Sequence, residues 1–450
     1  PMISNAPTSA TLPRQLGLLD AAAIFVGIIL GSGIFVAPSA VAAVASSPLV
    51  ATLVWSVGGL VALAGALTYA ECGARLPHTG GFYVYYREAF GRPVAFVGGW
   101  VALLVTYPAS LAAIALVCAR YLGELVAIPA RYVPSVAAAT VVLAVLLNVV
   151  GVRTGGRTQR LLTSTKILAL LVLCIAAVLA GKAPLVDALG PVTVSPVASP
   201  VALLGAVVVV LWTYDGWSDI TLVAGEVRDP RRNLLRAVLL GTVALGVLYV
   251  VVQLAVMRLL PAAEAARSPR VLSDAVAVAL GPRAGALVAV LVVVSTFGSL
   301  HGIVLTSSRL AFAMAEDGVF LRSFATPHRR WGTPARAVIA LGGATLAYVF
   351  SGGFDALLGF FSFSVWLFYG LTAIALLRLR HRAAAVQELP TGRMARMSPY
   401  LLVIIAVAMT ASLAAESPWR ALTGLTMALA ALPVYWVWRR WQQRHTSATG

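Results

Sequence analysis

The sequence predicts an all-α polytopic membrane protein of twelve transmembrane helices, and three observations carry that prediction. The chain is 60% hydrophobic, 11% charged and has a mean hydropathy of +0.92, a composition outside the soluble globular range. Its apolar residues gather into twelve windows of spanning length, near 17–45, 50–71, 94–119, 133–152, 161–181, 201–225, 237–257, 284–308, 335–351, 356–377, 399–415 and 420–438. These runs are long and continuous, so the short alternating strands of a membrane β-barrel are excluded. Finally, of the 33 Lys and Arg, only Arg120, Arg131, Lys182, Arg258, Arg267, Arg270, Arg283 and Arg420 fall in the connections on one side. The basic side is cytoplasmic, which puts both termini inside. The net charge of +17 therefore serves topology and lipid headgroups, and nucleic acid is not expected as a partner.

Residues 1–15 read as a cytoplasmic tail. The first span, from Leu16 to Ala45, is longer than one crossing needs and carries G-I-I-L-G-S-G-I-F-V-A-P-S over Gly27–Ser39. Gly31, Ser32 and Gly33 disfavour an unbroken helix there. Two readings fit: an unwound segment whose free amides line a polar cavity, or a small-residue face for helix packing. No small-residue cleavage site follows a short apolar core, so this is a retained helix and not a signal peptide. The second span carries Gly58, Gly59 and Gly65, a close-packing face. The connection R-L-P-H-T-G-G-F-Y-V-Y-Y-R-E-A-F-G-R-P mixes glycine, aromatics and arginine, which suits a membrane-interface segment or a short amphipathic helix. Spans three to five follow, the fifth holding Lys166.

The outside connection 182–200 carries Pro184, Pro191, Pro196 and Pro200 and reads as a seam between halves. Beyond it the sixth span repeats the anomaly of the first, with Asp215, Gly216 and Asp219 interrupting an apolar run in L-W-T-Y-D-G-W-S-D. Two interrupted spans thus head consecutive five-span blocks, 16–181 and 201–380. An odd number of spans inverts the second block relative to the first, and paired broken helices in inverted repeats point to a transport site at mid-membrane. That favours the cavity reading of Gly31–Gly33. A cytoplasmic loop 381–398, two further helices over 399–440 and a tail 441–450 complete the chain.

Lys166, Asp215, Asp219 and His301 are ionisable groups inside spans, where each is expensive and so a candidate for function. Lys166 either snorkels to the interface or serves the break. Asp215 sits where its carboxylate can cap amides freed by the sixth-span break. Asp219 faces either the cavity or a neighbouring helix. His301 reads as a helix-packing histidine. Cys72, Cys118 and Cys174 lie in or at the ends of apolar helices without metal-ligand spacing and read as small packing residues. No nucleophile elbow, Walker lysine or zinc motif occurs, so neither an enzyme nor a cofactor or metal is expected, and transport must be driven by a solute gradient. A channel would want a continuous polar stripe, and these spans carry too few polar residues to line one.

G-S-G-I-F-V-A-P at 31–38, F-G-R-P at 90–93, W-T-Y-D-G-W at 212–217, G-E-V-R-D-P-R-R-N-L-L-R-A at 225–237 and T-S-S-R-L at 306–310 together resemble the amino acid–polyamine–organocation superfamily, most of all bacterial members of its L-type amino-acid transporter branch. The resemblance covers residues 15–380. It implies a five-plus-five inverted repeat with broken helices 1 and 6 and two extra C-terminal helices. It also implies a substrate carboxylate on the amides around Ser32 and Gly33. The substrate ammonium would meet carbonyls of Ile28 and Ile29 in the first break and of Trp212, Thr213 and Asp215 in the second. Trp212 would be the gate, and Thr106 and Tyr107 would line the side-chain pocket. Lys166 matches a lysine whose ammonium replaces the sodium of sodium-coupled relatives.

Three departures stand out. The outside loop 120–133 has no cysteine, whereas animal L-type members use one to join a glycoprotein heavy chain; no disulfide-linked heavy chain is expected. His301 stands where many relatives have asparagine. Asp219 occupies a position often held by a neutral residue, which makes it a candidate for the side-chain end of the site. The expected function is a sodium-independent exchanger or facilitator of L-amino acids at the inner membrane, working by alternating access. The alternatives are a proton-coupled symporter and a cationic amino-acid or polyamine exchanger.

Overall fold

The structure is a computed structural model that describes residues 12, 14–45, 47–150, 152–180, 200–268, 270–351, 354–382 and 392–446. The expected 182–200 connection, save Pro200, lies outside the described residues, as do most of the N-terminal tail and residues 383–391 of the cytoplasmic loop. In chain order the helices are α1 (Leu18–Ile29), α2 (Ala37–Val44), α3 (Pro48–Arg75), α4 (Phe82–Phe90), α5 (Arg92–Val101) and α6 (Tyr107–Leu125). Next come α7 (Val133–Val149), α8 (Val152–Ala180), α9 (Pro200–Thr213), α10 (Pro230–Leu259), α11 (Ala262–Arg267) and α12 (Val271–Leu280). The last are α13 (Pro282–Glu316), α14 (Ala335–Ser351), α15 (Phe354–Arg382), α16 (Arg393–Glu416) and α17 (Pro418–Thr446).

Among the described residues nine helical stretches are long and apolar enough to cross a membrane. The remaining three expected spans are the two broken ones and α14, a helix of 17 residues. Several helices outrun the hydropathy windows, among them α8, which begins at Val152, α10, which begins at Pro230, and α13, which runs for 35 residues to Glu316. Their polar ends, rich in Arg, Gln and Glu, are good helix formers that no apolar window can register.

The inverted repeat is written in the packing. α1 packs on α10 as α9 packs on α3, α13 on α7 as α6 on α14, and α8 on α13 as α15 on α6. Each pair maps onto the other when a span of the first block is exchanged for its counterpart five spans later. Counterparts also meet directly, α3 with α10, α6 with α13 and α7 with α14.

One expectation needs correction. The 76–93 connection does contain a helix, α4, but its aromatics do not lie on a membrane surface. Phe82, Tyr83, Val84, Tyr85, Tyr86 and Ala89 are buried in the protein. The Tyr86 hydroxyl reaches the Phe368 carbonyl and Thr372 of α15, and Tyr83 donates to Asp317 at the end of α13. Arg87 also pairs with Asp317 at 2.5 Å. The amphipathic pattern was real, but protein rather than lipid covers its apolar face.

The C-terminal ends of α3 and α15 share Glu71, which accepts from Arg75 and Arg380. Deeper in the bundle, Arg309 of α13 meets Glu226 in a fork of 2.8 and 3.3 Å, with both side chains sealed from solvent. The chain just before α1 docks at the same place: the Gln15 and Leu16 amides donate to the Glu226 carbonyl, and Arg228 donates back to Leu16.

Candidate functional site

Two breaks meet inside the bundle. In the first, α1 stops at Ile29, a 3-10 turn runs over Gly33–Phe35, and α2 resumes at Ala37. Among the described residues the amides of Ser32 and Gly33 find no backbone carbonyl. Gly33 lies against the second break, because a Cβ there would sit 2.8 Å from the Thr213 Cα. The Gly31–Gly33 cluster therefore serves both readings left open by the sequence, an unwound segment and a close-packing face.

In the second break, α9 stops at Thr213 and Gly216 adopts φ +119, a left-handed value that disfavours any other residue. A Cβ on Gly216 would also fall 2.8 Å from Ile28 Cγ2. The chain then runs as a 3-10 helix over Asp219–Glu226 instead of an α-helix. Asp215 does turn its carboxylate to a freed amide, that of Gly216, and the same group accepts the Tyr369 hydroxyl of α15.

Between the breaks is a cavity of roughly 90 Å³ for the centres of water-sized molecules, lined by Ile28, Ile29, Gly31, Ser32, Gly33, Thr106, Tyr107, Trp212, Thr213, Asp215, Gly216 and Asp219 among others. One water needs about 10–15 Å³ on that measure, so the space holds a small organic molecule. All ten side chains or backbones expected at a binding site fall on its wall. Lys166, the expected coupling group, is not on the wall but behind it.

Lys166 of α8 is 1% exposed, which disposes of snorkelling. Its Nζ donates to the carbonyls of Gly27 and Leu30 at 2.7 and 2.9 Å and lies 3.0 Å from the Ser299 hydroxyl. An α-helix that ends leaves its last carbonyls without partners, and the ammonium of α8 satisfies them here. Ser299 lies 2.9 and 3.1 Å from the Gly27 and Ile28 carbonyls, and Ser295 donates to that of Leu30 at 3.0 Å. From α10, the Tyr249 hydroxyl reaches the Ile29 carbonyl of the first break at 3.1 Å and the Thr213 carbonyl of the second at 3.5 Å. The Ile28 carbonyl thus already holds one protein donor and keeps one lone pair for anything in the cavity, while the Ile29 carbonyl accepts both the Gly31 amide and the Tyr249 hydroxyl and is filled.

Thr106 and Tyr107 reach the cavity through a local defect. Pro108 has no N–H to give the Leu104 carbonyl, and the helix opens into a π turn over Ala102–Thr106. The stranded Leu104 carbonyl accepts the Tyr348 hydroxyl of α14 at 2.9 Å. Such bulges re-aim side chains, and here they turn Thr106, hydrogen-bonded to Ser364, and Tyr107 onto the wall.

Asp219 is 5% exposed and hydrogen-bonded to the Tyr107 hydroxyl, while its Oδ1 has no hydrogen-bond partner. It therefore faces the cavity and a neighbouring helix at once. His301 is only half satisfied: Nδ1 lies 3.1 Å from Gln159 Oε1, and Nε2 has no partner. Cys72, Cys118 and Cys174 are free thiols.

Sequence reasoning missed Tyr249, Ser295, Ser299 and Tyr369. Ser295 and Ser299, four residues apart in an apolar helix, were a legible polar stripe. Tyr249 in L-Y-V-V-V was not, because a tyrosine in a span reads equally as packing.

The comparisons with known proteins agree with this architecture. A family profile described as "Amino acid permease" matches residues 16–435. The b(0,+)-type amino acid transporter 1 of Oryctolagus cuniculus is 31% identical over 389 residues, 84% of this chain and 78% of that protein. The human cystine/glutamate transporter is 30% identical over 445 residues, covering 96% and 87%. The serine/threonine exchanger SteT of Bacillus subtilis is 29% identical over 432 residues, covering 94% and 97%. With twelve spans, paired broken helices and a family match across the bundle, this chain belongs to the amino acid permeases of the amino acid–polyamine–organocation superfamily, membrane transporters of amino acids and not enzymes.

Proposed function

We propose that the chain is a sodium-independent exchanger or facilitator of L-amino acids at a bacterial inner membrane, with both termini cytoplasmic. The halves 16–181 and 201–380 would move against each other in alternating access. The observation that carries this reading is the meeting of two breaks on one cavity, free amides of Ser32 and Gly33 on one side and the carboxylate of Asp215 on the other. Amides at the start of a resumed helix suit a carboxylate, and the carbonyls of Ile28 and Trp212, each with a lone pair to spare, suit an ammonium. Trp212, partly buried on the wall, is the ring that would close over the bound molecule.

Lys166 supports sodium independence: its ammonium already fills the oxygen set of Gly27, Leu30 and Ser299. A covalently held cation there needs no ion gradient to stay in place. The three free thiols and a cysteine-free 120–133 loop support work without a disulfide-linked heavy chain. A second reading, proton coupling, draws on a connected set of polar residues, Asn148, Gln159 and His301, whose Oδ1, Nε2 and Nε2 atoms are buried without partners.

Counterflow in proteoliposomes tests the first reading. The amino acid exchanged best from a labelled panel should exchange without sodium, and neither its methyl ester nor its decarboxylated amine should compete. Competition by those analogues as strong as by the parent compound would remove the role given to Ser32 and Gly33.

A further inference from the structure

We infer that Asp219 makes the side-chain end of this cavity a subsite for a terminal ammonium, so that the preferred substrates are amino acids of the ornithine and lysine type. The inference rests on the zwitterion reading above and extends it to the part of the substrate that reading leaves open.

Among the described residues the cavity wall carries two carboxylates and no lysine, arginine or histidine. One of the two, Asp215, is committed to the Tyr369 hydroxyl and the Gly216 amide. The other, Asp219, is four residues further along, at the start of the 3-10 stretch. It is buried, and its Oδ1 has no hydrogen-bond donor.

A purely structural role, tying the sixth span to the third, would be complete with a carboxamide in place of the acid. The acid adds only acceptors and negative charge, and buried groups of that kind are stable when paired. Leucine or serine brings no donor of charge to that atom. An alkylammonium brings three N–H donors and a full positive charge. Its surroundings suit the same ligand: the rings of Tyr69, Phe82, Tyr107, Phe368 and Tyr369 line the cavity, and aromatic faces attract desolvated cations. The wall thus offers apolar surface to the methylenes of such a side chain and an acid to its tip.

Calorimetric binding to purified protein in detergent tests this with leucine, norleucine, 2,4-diaminobutyrate, ornithine and lysine, in wild type, Asp219→Asn and Asp219→Glu. In wild type the diamino acids should bind more tightly than norleucine. Asp219→Asn should cost them about tenfold or more, the size expected for losing a charged hydrogen-bond partner, while leucine and norleucine stay within about twofold. Retained leucine binding shows that the variant is folded. Asp219→Glu extends the acid by one methylene and should move the preference toward the shorter diamino acid. A lysine affinity no better than norleucine in wild type would overturn the inference, as would an ammonium preference that survives Asp219→Asn. Neither result touches the carboxylate end of the site, which the ester competition tests separately.

Discussion

The two breaks differ in how each disposes of its unsatisfied backbone. The first ends in carbonyls, and the protein brings donors to them: an ammonium from α8, two serine hydroxyls from α13 and a tyrosine from α10. It holds no ionisable side chain of its own. The second break carries its own acid and is held by the one Tyr369 hydroxyl that comes to that acid, together with one left-handed glycine. One break is thus quenched by a borrowed cation and the other brings its own anion. The lesson is that likeness of position in an inverted repeat does not require likeness of chemistry. The first break is fixed by what surrounds it, and the second is fixed by its own sequence.

The contrast is broken most severely at Lys166. Lys166→Ala takes the ammonium from two buried carbonyls and leaves them only the hydroxyls of Ser299 and Ser295, and each hydrogen bond to a charged group is worth about 1.5–3 kcal/mol. Exchange should fall to background in proteoliposomes although the protein still inserts, and added sodium should not restore it. A wild-type rate in Lys166→Ala would show that the serines suffice to hold the first break.

Tyr369→Phe is the matching test of the second break and should have a smaller effect. It removes one hydrogen bond to a carboxylate, worth about 1.5–3 kcal/mol, and leaves the Gly216 amide in place. A roughly tenfold or greater loss of substrate affinity is expected. An effect as large as that of Lys166→Ala would mean that the breaks are braced alike.

Ser295→Ala sharpens the picture at the small end. The Leu30 carbonyl keeps Lys166 when Ser295 is gone, so the loss should be close to that of one neutral hydrogen bond, about 0.5–1.5 kcal/mol, and exchange should slow a few-fold. Adding Ser295→Ala to Lys166→Ala measures whether the two donors act on one carbonyl, since neighbours sharing a partner are not additive. Strict additivity would argue against a shared acceptor.

Much of this was readable in the chain. The spans, the two breaks and Lys166 stood out because apolar runs and buried charges are local signals. The carboxylate of Asp215 and the wall position of Thr106 and Tyr107 followed from the resemblance. What stayed hidden was everything decided by which helix lies beside which: Tyr249 serving both breaks, the pair of serines opposite Lys166, and the burial of α4. Gly33 shows the same limit from the other side. Its sequence context suggested an amide kept free for a ligand, and the bundle adds that any side chain there would strike Thr213. Gly33→Val would therefore force the two breaks apart, and loss of binding in that variant would not isolate the amide.

The Glu226–Arg309 pair sets a timetable for biogenesis. The acid is synthesised 83 residues ahead of the arginine that neutralises it. A buried charge without its partner is destabilised by about 3–5 kcal/mol. The end of the sixth span therefore cannot settle at its final depth while the nascent chain stops short of the eighth. Until α13 arrives, Glu226 lacks the cation that pairs with it in the bundle, and water is the cheaper place for it. The cavity, whose wall includes Ile303, Val365 and Tyr369, is likewise completed only by the later half of the chain.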